Sequence, residues 1–152
     1  HHMMECTGIS HIAVCVRDMD KSLAFYRDIL GMTISKDAIE DTSTGAMPNT
    51  YKHQRNTRRT VHIGYGGETF LVMTTHPGDK SDGEPIKLDQ IGVSHVSFTV
   101  KNLRAVADEL IAKGVEIAGG FDAFADAQGK VRTFFAFDPD GIMVQFDSGI
   151  ES

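Results

Sequence analysis

One pattern occurs twice in this chain, and a duplicated unit constrains the fold more than any single motif does. Ile9-Ser-His-Ile-Ala-Val-Cys-Val16 alternates as a half-buried strand does, with Ile12, Val14 and Val16 on one face and His11, Ala13 and Cys15 on the other. A helix is expected next: Asp18 or Asp20 can cap it, Met19, Leu23, Tyr26 and Leu30 form its apolar stripe, and Gly31 stops it. Gly92-Val-Ser-His-Val-Ser-Phe-Thr-Val100 repeats the strand, histidine included. Asn102 as cap, the stripe Leu103, Val106, Ala107, Leu110 and Ile111, and Gly114 as stop repeat the helix. His11 to Gly31 spans 20 positions and His95 to Gly114 spans 19, so strand, helix and stop recur in nearly the same register.

The rest of each half extends the pattern to strand, helix, then three strands. In the first half Met32 to Ser35 reads as the second strand. Arg59 to Tyr65 and Thr69 to Thr75, joined through Gly66-Gly67, read as a β-hairpin. Between them, Lys36 to Thr60 is polar, holds Gly45 and Pro48, and is too long for an ordinary connection, which suits a lid. In the second half Val115 to Ala118, Val131 to Phe137 and Ile142 to Asp147 supply three strands, the last two joined by the tight-turn sequence Asp138-Pro-Asp-Gly141. Residues 1–4 read as a purification-tag remnant and start. Residues 5–76 form the first module, 77–91 a linker and 92–152 the second module.

Charge narrows the function classes. Lys and Arg number 15 against 21 Asp and Glu, a net charge of −6, which disfavours nucleic acid as a partner. No run approaches the ~18 apolar residues of a membrane span. Two cysteines, Cys6 and Cys15, are too few for a disulfide framework and fit a reducing cytoplasm.

Three segments together resemble the vicinal oxygen chelate superfamily, the group of glyoxalases, bleomycin resistance proteins and extradiol dioxygenases. They are His11-Ile-Ala-Val-Cys-Val-Arg-Asp-Met-Asp-Lys-Ser-Leu-Ala-Phe-Tyr-Arg-Asp-Ile-Leu-Gly31, His95-Val-Ser-Phe-Thr-Val-Lys-Asn-Leu103, and Phe137-Asp-Pro-Asp-Gly-Ile-Met-Val-Gln-Phe146. The resemblance implies an α+β fold of two tandem βαβββ modules forming an open curved-sheet barrel with helices outside, around a small-molecule pocket. It implies metal ligands at His11, His95 and Gln145, the last where the superfamily usually has glutamate. A fourth ligand of glyoxalase-like members would fall at Leu71 or Met73, neither a hard-metal donor, with Glu68 nearby but expected to point away. The cofactor implied is a divalent metal (Fe, Mn, Zn or Ni), weakly held or absent because an amide brings no charge.

Around these positions the sequence offers further candidates. His62, opposite in strand parity to Val61 and Ile63, and His53 and Tyr51 in the long polar stretch are proton-transfer candidates. Arg55, Arg58 and Arg59 can meet an anionic substrate group, or else balance Asp37, Glu40 and Asp41. Phe135 and Met73 are expected to offer apolar substrate contacts. The functional expectation is a metal-dependent enzyme acting on a small molecule with neighbouring oxygens, dioxygenase-like or glyoxalase/lyase-like. The alternative is a metal-free protein that binds a small molecule of the antibiotic type. A homodimer in the cytoplasm completes the expectation.

Overall fold

The computed structural model describes residues 3–77 and 81–148, and the chain divides into two compact units, His1–Asp82 and Gly83–Ser152. The first contains β1 (Ile12–Cys15), α1 (Met19–Leu23), β2 (Thr33–Asp41), β3 (Thr57–Tyr65) and β4 (Glu68–Thr75). Its sheet has the order β1-β4-β3-β2, with β1 parallel to β4 and the other pairs antiparallel.

Local chemistry sets these boundaries. Asp18, not Asp20, caps α1, its carboxylate accepting from the N–H groups of Asp20 and Lys21. Beyond Leu23 the helix widens to a π-helix over Ala24–Ile29, with Leu30 N–H donating to the Phe25 carbonyl at 2.9 Å. The wider turn buries Phe25 as well as the expected Tyr26, the rings meeting edge to face at 4.9 Å. At the β3–β4 turn Gly66 and Gly67 both take positive φ, 62° and 79°, as a two-residue hairpin requires. Gly64 sits at a register shift where a Cβ would meet the Glu68 carbonyl oxygen at 1.7 Å.

The two ends of the long polar stretch are strand, not loop. β2 runs on to Asp41 and β3 starts at Thr57, so only residues 42–56 connect them. The reason is charge pairing across the ladder: Glu40 lies opposite Arg58, and Arg58 Nε donates to it at 3.0 Å. Arg59 donates to Asp37 at 2.8 Å from its Nη2 and to Asp20 at 3.1 Å from its Nη1. The remaining connection is tied at its neck, where Thr42 N–H donates to Asn56 O and the Thr42 hydroxyl to Arg55 O.

The second unit contains β5 (His95–Thr99), α2 (Leu103–Ala112), β6 (Thr133–Phe137) and β7 (Met143–Asp147), with sheet order β5-β7-β6. The strand expected at Val115–Ala118 shrinks to a bridge between Ile117 and Ala136. Gly119 and Gly120, at φ 72° and 84°, turn the backbone into a 3-10 turn at Phe121–Phe124 before the strand can lengthen. Asn102 caps α2 by accepting from Ala105 N–H at 3.0 Å. Alternate residues of the strands form the core. Phe146 stacks on Phe98 and Phe134 at 5.8 and 5.2 Å, and Phe121 meets Phe134 edge-on at 5.6 Å. The fold is α+β, its two sheets are open, and the element order fits tandem βαβββ modules, the second with the edge strand beside β6 reduced. Among the described residues no helix is long and apolar enough to cross a membrane.

Candidate functional site

In the second unit the pairing that buries Phe98, Phe146 and Phe134 turns the intervening residues to the other face. Ser97 lies opposite Gln145, and Gln145 opposite Phe135, while His95 and Thr133 share their parity. His95 Nε2 and Gln145 Oε1 lie 3.0 Å apart. Behind them, Ser94 Oγ is 2.8 Å from His95 Nδ1, and Gln145 Nε2 donates to Thr133 Oγ1 at 2.8 Å. The Thr133 hydroxyl donates to Phe146 O at 3.0 Å. The Phe135 ring stands edge-on to the imidazole at 5.1 Å. Upstream of Gln145 the turn is fixed by buried Asp138, whose carboxylate accepts from Asp140 and Ile142 N–H at 2.8 and 2.9 Å.

The pair is a hydrogen bond as it stands, and with the proton moved off Nε2 its two atoms have the chemistry and spacing to be donors to a divalent cation. Two donors at about 2.1 Å from one ion and at right angles stand about 3.0 Å apart, the spacing of an octahedral edge, and 3.0 Å is the separation seen here. Among the described residues no three His, Cys, Asp or Glu side chains come together as a metal cluster. The donors here, an imidazole and an amide, add no charge to an ion.

In the first unit His11 immediately precedes β1, with the strand parity of Ala13 and Cys15, and Ser10 Oγ is 2.9 Å from its Nδ1. A cleft of ≈390 Å³ beside it is lined by Ser10, His11, Tyr65, Glu68, Thr69 and Phe70, among others. The ladder sets Ala13 opposite Val72 and Val72 opposite His62, so half-buried His62 is on the His11 face. It stands two strands over, about 10 Å sideways.

The same register moves Met73 and Leu71. They pair with Val14 and Ile12, and both are fully buried on the helix side. Met73 is therefore removed from the face that carries His11, and the β4 residues of the opposite parity, Phe70, Val72 and Thr74, take that face. Glu68, opposite in parity to Leu71 and Met73 as expected, is exposed and is among the residues lining the His11 cleft.

Of the remaining candidates, His53, Arg58 and Arg59 are paired with carboxylates. His53 Nε2 and Lys52 Nζ approach Asp82 at 3.1 and 2.7 Å, and these two neighbours hold that carboxyl down at about 2. The Tyr51 ring meets His76 edge-on at 5.2 Å, and its hydroxyl is buried with no hydrogen-bond partner among the described residues. Arg58 is engaged with Glu40 and Arg59 with Asp37 and Asp20, and these two aspartates raise Arg59 above its ordinary range. Sequence reasoning missed Ser10, Ser94 and Thr133. Two of them were legible, because the dipeptide Ser-His recurs with the repeat. Thr133 was not, because only cross-strand pairing brings it to Gln145.

Comparison with known proteins identifies the family and the fold. The family model described as the Glyoxalase/Bleomycin resistance protein/Dioxygenase superfamily matches residues 8–146. A lactoylglutathione lyase of Schizosaccharomyces pombe is 24% identical over 164 residues, covering 98% of this chain. This chain spans only 50% of that relative's length. A probable lactoylglutathione lyase of Synechocystis is 27% identical over 140 residues, covering 89% of this chain and 90% of its own. Among solved structures, a glyoxalase family protein from Bacillus cereus shares the fold with a TM-score of 0.73 at 13% identity, covering 94% of each chain. With the duplicated strand–helix order, the open sheets and the match across nearly its whole length, this chain belongs to the glyoxalase/bleomycin resistance protein/dioxygenase superfamily.

Proposed function

We propose that this chain is a divalent-metal enzyme in which His11, His95 and Gln145 are the ligands and the substrate is a small molecule with two adjacent oxygens. The observation that carries the proposal is the convergence of His95 Nε2 and Gln145 Oε1 at 3.0 Å. A bound ion would supply Lewis-acid polarisation of the substrate oxygens. The protein's own residues do the rest. Phe135, edge-on to His95, offers an apolar wall to the carbon part of the substrate and keeps water off that side. His62, half-buried on the His11 face, is the proton-transfer group.

Within this reading, lyase or isomerase chemistry on a 2-hydroxyacyl thioester is favoured over dioxygen chemistry, because the relatives include lactoylglutathione lyases. Tag-free protein is titrated with Mn(II), Ni(II), Zn(II) and Fe(II) by calorimetry, then assayed for interconversion of lactoylglutathione with its 2-oxoaldehyde and thiol components. Saturable metal binding that is lost in His95→Ala, with turnover that follows metal occupancy, is the expected result. Binding with no turnover would remove the lyase assignment.

A second reading, a metal-free binding protein for an apolar small molecule, is favoured by one observation. The candidate donors His11, His95 and Gln145 bring no negative charge to an ion. Absence of saturable binding for all four ions in wild type would select it.

A further inference from the structure

We propose that the hydroxyls of Ser10, Ser94 and Thr133 are a positioning layer that aims the ligand atoms of His11, His95 and Gln145, an inference that rests on the metal-site reading above. Each candidate ligand has one nitrogen that would not face an ion, and each of those nitrogens meets a hydroxyl. Ser10 Oγ is 2.9 Å from His11 Nδ1, Ser94 Oγ is 2.8 Å from His95 Nδ1, and Thr133 Oγ1 is 2.8 Å from Gln145 Nε2. The first two are equivalent points of a duplicated unit, the residue before the histidine in both repeats. Metal-ligating histidines generally need a partner on the second ring nitrogen to fix ring orientation and tautomer.

Around His95 the donors and acceptors leave one solution. The Phe146 carbonyl can only accept, so the Thr133 hydroxyl donates to it and the Thr133 oxygen is left to accept. The amide NH2 of Gln145 must therefore face Thr133, which turns Oε1 toward His95. Facing an acceptor at 3.0 Å, Nε2 of the metal-free neutral imidazole carries the hydrogen, and Nδ1 accepts from Ser94.

An ion on Nε2 needs the lone pair there, so the ring proton must pass to Nδ1, where it donates to Ser94 Oγ. The hydroxyl can reverse from donor to acceptor, which a carbonyl could not do. Protons balance: the hydrogen lost from Nε2 appears on Nδ1, and none need leave the protein. Gln145 needs no amide flip, since Thr133 already holds its NH2 away from His95. Because the layer is built of hydroxyls, it orients the ligands without adding negative charge behind them.

The test is nitrogen NMR of the side chains at about pH 8, above the ordinary imidazole range, on metal-free and Zn(II)-loaded protein, with Zn(II) affinity measured by competition. Wild type should show His95 as the Nε2–H tautomer without metal and Nδ1–H with Zn(II). Thr133→Val and Ser94→Ala should each weaken Zn(II) binding roughly 10- to 100-fold, Ser10→Ala less because that pair is exposed. Thr133→Ser should restore both affinity and tautomer. Thermal melts identify any variant that is simply unfolded, and Thr133→Ser keeps the hydroxyl test open in that case. An Nδ1–H tautomer in metal-free wild type would overturn the donor–acceptor assignment. Zn(II) binding unchanged in Thr133→Val and Ser94→Ala would overturn the positioning role while leaving the metal reading intact. No saturable Zn(II) binding in wild type would overturn the metal reading, and the positioning role with it.

Discussion

Removing the charge of Glu40 tests whether the long β2–β3 ladder is held by the electrostatics that replaced the expected loop. Glu40 accepts from Thr60 Oγ1 at 2.6 Å, Arg58 Nε at 3.0 Å and Lys36 Nζ at 3.3 Å. The Thr60 hydrogen bond is the largest cause, with Arg58 and Lys36 adding to it against the cost of partial burial, and together they lower its pKa from 4.5 to about 2. At face value that shift is worth roughly 3 kcal/mol. The side chain keeps 31% of its surface exposed, so solvent screening reduces the expected contribution to about 1–2 kcal/mol. The folded-state pKa is depressed, so the stabilisation is complete above the unfolded value of 4.5 and disappears as pH falls toward about 2. Glu40→Gln keeps the shape and an acceptor for Thr60 but loses the charge. Urea unfolding should find the variant less stable by about 1–2 kcal/mol near neutral pH, the gap closing through the acid window set by the two pKa values. A gap that stays constant with pH would refute the ionic origin of the effect, and no gap at neutral pH would refute the hub itself.

Three further perturbations follow from the geometry. Gly64→Ala would place a Cβ 1.7 Å from the Glu68 carbonyl oxygen, and at ~2–4 kcal/mol of destabilisation the melting transition should fall by several degrees or expression should fail. Asp138→Ala would strip the Asp140 and Ile142 N–H groups of their acceptor at a buried turn. It should cost about 1–3 kcal/mol in a denaturant melt, with Asp138→Asn recovering part. Gln145→Glu should tighten divalent-cation binding by roughly 1–3 kcal/mol in a calorimetric titration, because a carboxylate replaces an amide at the ion. If no ion binds there, the same change only buries an unpaired carboxylate and lowers stability.

The repeat was legible because it is carried by local rules. Strand alternation, Asn102 and an aspartate as caps, Gly31 and Gly114 as stops, and the Gly66-Gly67 and Asp138 to Gly141 turns each depend on neighbours a few residues away. Strand parity likewise set His11, Ala13 and Cys15 apart from the apolar residues that face the helix. What failed at that level was everything decided by a partner strand. Lys36 to Asp41 reads as loop by composition, yet it is strand because Arg58, Arg59 and Thr60 lie across from its acids and satisfy them. Met73 looks available to a ligand until its pairing with Val14 and Val61 commits it to the helix side. Gln145 by itself is an amide that could turn either end outward. Only the tertiary structure, by bringing Thr133 and the Phe146 carbonyl behind it, decides that its oxygen faces His95. Hydrogen-bond direction is a property of a closed chain of partners, and those partners lie on strands that sequence distance keeps apart.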